Sequence, residues 1–171
     1  MEGKRLLVFV DTEFTGLEVG ARLISLGMVA EDGREFYIQS RDWALDDCSP
    51  FVLEVVLPLL STDFLPLREA GASAKCWIEG LGCEVILATD STEWDGLMLN
   101  MAFKECGWPS NARARLGFLS FGGTSGTIFE KERSRRFLEG LREHHALDDA
   151  KAAKEAYLAT CRAQPLWCPS F

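Results

Sequence analysis

Leu6-Leu7-Val8-Phe9-Val10-Asp11-Thr12-Glu13 is a continuous apolar, partly β-branched run that ends in two carboxylates. An apolar run without alternation predicts a central strand covered on both faces. Side chains alternate along a strand, so Asp11 and Glu13 point to the same side, separated by one repeat of roughly 7 Å. Charge in a low-dielectric interior is costly unless cations or hydrogen bonds compensate it. Two carboxylates so placed can share metal ions; an acidic strand end that reaches solvent and caps the next turn is the competing reading.

Reading outward from this strand, Leu23 to Ala30 and Glu35 to Ile38 flank Glu31-Asp32-Gly33, the signature of a β-hairpin closed by a tight turn. Apolar spacing from Phe51 through Leu59 predicts a helix starting near Ser49-Pro50, and a second helix is expected between about Leu67 and Leu81. Glu84 to Thr89 reads as another buried strand, followed by a helix from about Thr92 to Cys106 that Gly107-Trp108-Pro109 terminates. A strand around Leu116 to Phe121, a flexible Gly-rich loop at Gly122 to Gly126, and helices at about 128–142 and 146–162 complete the chain. The Gly-rich segment matches neither a Walker A motif nor a dinucleotide fingerprint. Antiparallel leading strands followed by alternating helices and strands predict an α/β fold with a mixed β-sheet flanked by helices, an order that fits a ribonuclease-H-like architecture.

At 171 residues the chain is expected to form a single domain over 1–171, with a short C-terminal tail at 164–171 rich in Trp, Pro and Cys. The five-residue apolar run is too short for a signal-peptide core or a membrane span, so no membrane partner and a cytoplasmic location are expected. Cys48, Cys76, Cys83, Cys106, Cys161 and Cys168 form no C-x-x-C pair and are expected to be reduced structural thiols. A net charge of −8 argues against a generic duplex binder. Clustered carboxylates that hold divalent cations are locally neutralised, so an acidic chain can still act on nucleic acid. Basic residues do occur at Arg113, Arg115, Lys131, Arg133, Arg135, Arg136 and Arg142, either as a solvated helix face or as phosphate contacts.

Two further segments carry candidate chemistry. Asp95 falls in the first turn of a helix, where a carboxylate is also favoured by the unsatisfied amides and the dipole, and Asp90 at the strand end competes with it. His144-His145-Ala146-Leu147-Asp148-Asp149 places an imidazole, suited to general-base work, just before a helix with two acids in its first turn. Residues three and four apart share a helix face, so Asp149 aligns with Ala146, Ala153 and Ala156 and is the inward candidate.

Together these segments resemble a family. Asp11-Thr12-Glu13-Phe14-Thr15-Gly16-Leu17 resembles the first motif of the DEDDh exonucleases, residues 92–99 the second, and His144-x-Ala146-Leu147-x-Asp149-Ala150 the third. Leu23 to Tyr37 is similar to the bacterial exoribonuclease AS subfamily, and the likeness covers roughly residues 6–158. The resemblance implies two magnesium or manganese ions on Asp11, Glu13, Asp95 and Asp149, with His144 as the base. It also implies stepwise hydrolysis from the 3′ end of single-stranded RNA or an RNA 3′ overhang, and it is compatible with a homodimer. Phe14, Thr15, Gly16 and Leu17 become substrate-binding candidates, Phe14 and Leu17 by packing on the terminal base. A DNA exonuclease of proofreading type uses the same five chemical residues. Two more distant readings fit the same segments: a retired exonuclease fold acting as an interaction module, and a phosphatase-like hydrolase of small nucleotides.

Overall fold

In the computed structural model, which describes residues 5–113, 117–118 and 123–165, the apolar N-terminal run becomes the middle strand of a five-stranded sheet. Its strands are β1 (Arg5–Phe14), β2 (Leu23–Ala30), β3 (Glu35–Gln39), β4 (Glu84–Thr89) and β5 (Gly117–Phe118), in the order β3-β2-β1-β4-β5. β1 to β3 form antiparallel pairs, whereas β4 pairs parallel to both β1 and β5. The sheet is therefore mixed, as expected. The β2–β3 turn uses Gly33 at φ +94°, a left-handed conformation that costs glycine little.

Two helices cover each face of the sheet. α1 (Leu67–Glu79) and α2 (Thr92–Phe103) contribute Ala74, Ile78, Leu99 and Phe103 to a core with Val8, Val10, Leu26, Met28 and Leu87. On the opposite face, α3 (Gly123–Leu138) and α4 (Ala146–Ala163) pack Phe129, Ala150, Ala153, Ala156 and Tyr157 against Phe9, Val29 and Ala88. The alternation of β1 thus divides its residues between two helical layers. That continuous burial explains the uninterrupted apolar run.

Several boundaries differ from expectation for identifiable reasons. β1 continues through Phe14, so Asp11 and Glu13 are paired strand residues opposite Gly27 and Ser25, and an irregularity follows at Glu13/Phe14. The helix expected after Ser49-Pro50 widens to a π-turn over Val52–Val56, closed by the Leu57 N–H on the Val52 carbonyl, and then tightens to 3₁₀ over Leu57–Leu59. Pro58 has no N–H to continue the α pattern there. α1 stops at Glu79 and α2 at Phe103, a few residues early, the latter with Gly107 at φ +76° donating to the Phe103 carbonyl.

The Gly-rich loop expected at 122–126 is corrected: α3 begins at Gly123, and it ends at Leu138 rather than near 142. Ser125 and Phe129 lie one turn apart and are both buried, and that packing offsets the low helix propensity of glycine. Of the strand expected at 116–121, Gly117–Phe118 is present; the rest, like Arg115, Gly122 and residues 166–171, lies outside the described residues. Cys48, Cys76, Cys83 and Cys106 are free thiols, but Cys161 is disulfide-bonded, contrary to expectation. Compartment reasoning applies to the chain as a whole and not to an individual cysteine. Among the described residues no helix is long and apolar enough to cross a membrane.

Candidate active site

The carboxylates collect where β1 and β4 end beneath the first turns of α2 and α4. Asp11 and Glu13 share one face of β1, and Asp149 in the first turn of α4 approaches them, so that one oxygen from each lies within 4.8 Å of the others. A second group, with the same spacing, joins Asp11 to Asp90, just beyond β4, and to Asp95 in α2. Among the described residues Asp11 is the carboxylate common to both groups. The cleft they line has a volume of about 480 Å³ and is also bordered by Phe14, Gly16, Leu17, Phe51, Trp94, Arg133, Glu143 and His144.

Asp95 is the most buried of these acids, at 2% exposure, and both of its oxygens accept hydrogen bonds from threonines. Thr12 Oγ1 donates to Oδ1 at 2.5 Å, and Thr89 Oγ1 donates to Oδ2. The alternation of β1 that turns Asp11 and Glu13 toward α4 turns Thr12 toward α2, where it meets Asp95. One tripeptide therefore serves two layers of the site.

Electrostatics in the cleft is dominated by burial, to which the neighbouring carboxylates add. Burial, then Asp95, Asp149, Glu13 and Asp90, push the Asp11 carboxyl well above its ordinary range. Burial and the charges of Asp149 and Asp95 raise Glu13 to about 8. Asp149 rises to about 7, chiefly through burial, against the pull of the Arg133 guanidinium and the His144 backbone. Asp95 reaches about 6 because burial outweighs the two threonine hydrogen bonds. An all-oxygen donor set that repels itself when ionised fits hard divalent cations such as Mg²⁺ and Mn²⁺, whose charge removes that repulsion.

The two histidines have different surroundings. His144 takes a left-handed backbone, φ +65°, lines the cleft, and meets the Phe51 ring edge-on at 4.9 Å. His145, the N-cap of α4, is 5% exposed and stacks on Tyr37 with ring centroids 4.6 Å apart. Its Nδ1 lies 3.3 Å from Arg142, whose Nε donates to Asp148 at 2.6 Å. Burial and the neighbouring Arg142 hold the His145 imidazole below its ordinary range. The acids separate likewise: Asp149 reaches the cleft, whereas Asp148 is buried against the side chain and backbone amide of Arg142.

Gly27 on β2 makes this arrangement sterically possible. A Cβ there would lie 2.2 Å from the Leu147 backbone nitrogen, so the first turn of α4 rests directly on the strand opposite Asp11.

Of the substrate-binding candidates, Phe14, Gly16 and Leu17 line the cleft. Phe14 stacks on Trp94, with centroids 5.4 Å apart and an angle of 15°, and Leu17 is 75% exposed. Thr15 turns inward, where its hydroxyl accepts the Arg22 N–H at 3.0 Å. Sequence reasoning weighed Asp90 as a rival of Asp95, whereas the two belong to one carboxylate group. It passed over Thr12, Thr89, Trp94 and Phe51, of which Trp94 and Thr12 sit beside residues already singled out.

No family model matches the sequence, and no curated protein matches it. Solved structures match its fold. The nuclease domain of 3′hExo, a DEDDh family member bound to rAMP, superposes with a TM-score of 0.64 at 14% identity, over 96% of this chain and 94% of that one. A 3′-exonuclease that recognises the 3′ end of a histone mRNA stem-loop gives 0.63 at 14% identity, over 93% and 82%. Exonuclease I of E. coli in complex with a dA16 oligonucleotide gives 0.65 at 11% identity over 96% of this chain, which spans 42% of that larger protein. The chain thus has the α/β, ribonuclease-H-like fold on which these 3′-exonucleases are built.

Proposed function

We propose that the chain is a metal-dependent 3′-to-5′ exoribonuclease that removes nucleoside 5′-monophosphates one at a time from single-stranded RNA or an RNA 3′ overhang. The observation that carries this reading is the pair of carboxylate groups joined at Asp11, with His144 on the same cleft, in a fold shared with 3′-exonucleases. The RNA preference rests on the likeness of residues 23–37 to an exoribonuclease subfamily.

In this mechanism Asp11, Glu13, Asp95 and Asp149 would hold two divalent ions. Such a pair lowers the pKa of water and offsets charge on the attacking and leaving oxygens of an in-line displacement. His144 accepts the proton of the attacking water as its oxygen bonds to the terminal phosphorus. The bond from phosphorus to the 3′-oxygen of the preceding nucleotide breaks, and that oxygen takes a proton from solvent and leaves as the 3′-hydroxyl of the shortened strand. Phe14 and Leu17 pack on the terminal base, a contact that tolerates any base because every base has a π face. Thr12 and Thr89 hold Asp95 in one orientation, in which it would serve as a ligand.

The test is a gel assay of 3′-labelled and 5′-labelled RNA and matched DNA oligonucleotides with Mg²⁺, Mn²⁺ or EDTA, beside Asp11→Ala. A metal-dependent ladder that shortens RNA from its 3′ end, absent in the variant, is the expected result. Faster loss of DNA would reassign the chain to the proofreading type, and intact substrates throughout would reassign it to an interaction module. Release of inorganic phosphate from mononucleotides, with oligomers untouched, would identify a phosphatase-like hydrolase.

A further inference from the structure

The basic run on α3 and beyond separates into residues with different work. Arg135 and Arg136 are paired to Glu132 and Glu139, Arg136 also to Glu155, and Arg142 is held by Asp148. Arg133 instead enters the cleft, where among the described residues it is the one lysine or arginine beside Asp11, Glu13, Asp90, Asp95, Glu143 and Asp149. Its NH1 group donates to Asp90 Oδ2 at 2.6 Å, and its side chain remains 29% exposed. A guanidinium carries five N–H donors in a planar fork, and this contact uses one edge of it.

A polyanion entering a cleft of six carboxylates in a chain of net charge −8 needs a positive group at the reacting phosphate besides the metal ions. We infer that Arg133 donates hydrogen bonds to a non-bridging oxygen of the terminal nucleotide's 5′-phosphate, with Asp90 holding the guanidinium in place. This rests on the nuclease reading above and assigns a phosphate-gripping residue within that site. With NH1 held by Asp90, the remaining N–H donors of the planar fork are left for the phosphate, an arrangement an ammonium cannot reproduce. The opposing account is a plain ionic tie between α3 and the end of β4.

The experiment measures binding of a nucleoside 5′-monophosphate to the Mg²⁺-loaded protein by calorimetry, and of a short RNA with Ca²⁺ across a salt series, for wild type, Arg133→Ala, Arg133→Lys and Arg135→Ala. Arg133→Ala is expected to weaken monophosphate binding about ten- to hundred-fold, the effect of losing a charge-assisted contact. It is also expected to flatten the log–log salt slope for RNA by about 0.7, one phosphate contact on a single strand. Arg133→Lys should fall between, and Arg135→Ala should match wild type. Unchanged monophosphate affinity and salt slope in Arg133→Ala, with oligonucleotides still cleaved by wild type, would overturn this inference and leave the nuclease reading standing. A wild type that neither cleaves oligonucleotides nor binds the monophosphate would overturn both.

Discussion

Asp11 belongs to both carboxylate groups, so under the proposed function its removal would deprive both ions of a ligand. Asp11→Ala is expected to abolish cleavage, whereas His144→Ala, which removes the proposed general base, a role worth about 10² to 10⁴ in rate, should leave slight residual activity in single-turnover assays. A crippled His145→Ala beside a normal His144→Ala would reverse that assignment. The same carboxylates set the pH response of the metal-free protein. Glu13 at about 8, Asp149 at about 7 and Asp95 at about 6 lie above ordinary carboxylate values, so the folded state binds their protons more tightly than the unfolded chain. Their contribution is fully favourable below the unfolded values and is lost as pH rises through the folded ones. In EDTA, Tm should therefore fall between about pH 5 and about pH 8, and Mg²⁺ or Mn²⁺ should raise it more at the alkaline end, because bound cations favour the ionised acids. A metal-induced Tm gain that is equal at both ends would contradict this account. Much at this scale is legible in the sequence: Asp11, Glu13 and Asp149 follow from period-2 and period-3.6 spacing. The part played by Thr89, and the grouping of Asp90 with Asp95 in place of rivalry, are obscured there because they depend on contacts across elements.

At the level of elements, the placement of α4 depends on a contact with no signature in its own sequence. Gly27 admits the backbone of Ala146 and Leu147 against β2, and any side chain there collides with main chain that cannot rotate aside. Gly27→Ala is expected to cost about 1 to 3 kcal/mol in chemical denaturation, the usual penalty of overpacking. It should also reduce the Tm gain from Mg²⁺, since displacing α4 moves Asp149 and His144 away from β1. A variant with normal stability and normal metal response would show that the helix accommodates the methyl group. α3 teaches the complementary lesson. Gly122 to Gly126 reads as a loop because glycine disfavours helix locally, but burial of Ser125, and of Phe129 against α4, draws the segment from Gly123 on into a helix. The π-turn at Val52–Val56 is equally hidden, although Pro58 marks where a regular helix has to change.

For the molecule as a whole, a net charge of −8 and a cleft of clustered acids mean that nucleic acid would meet repulsion until cations are bound. Fluorescence anisotropy with a labelled single-stranded RNA should therefore show no binding in EDTA and clear binding with Ca²⁺, weakening as monovalent salt rises. Tight binding in EDTA would mean that a surface remote from the carboxylates holds the strand. By itself the sequence determined the mixed α/β order, the buried central strand and the three acidic segments, because hydrophobic period and turn chemistry are local properties written residue by residue. The tertiary structure decided which histidine and which aspartate of the 144–149 segment enter the cleft, that Asp90 joins Asp95, that Thr15 turns away, and that Arg133 alone of the described basic run reaches the acids. Those choices depend on how closely α4 and α3 settle on the sheet, a matter of packing between residues far apart in the chain, which no local pattern encodes.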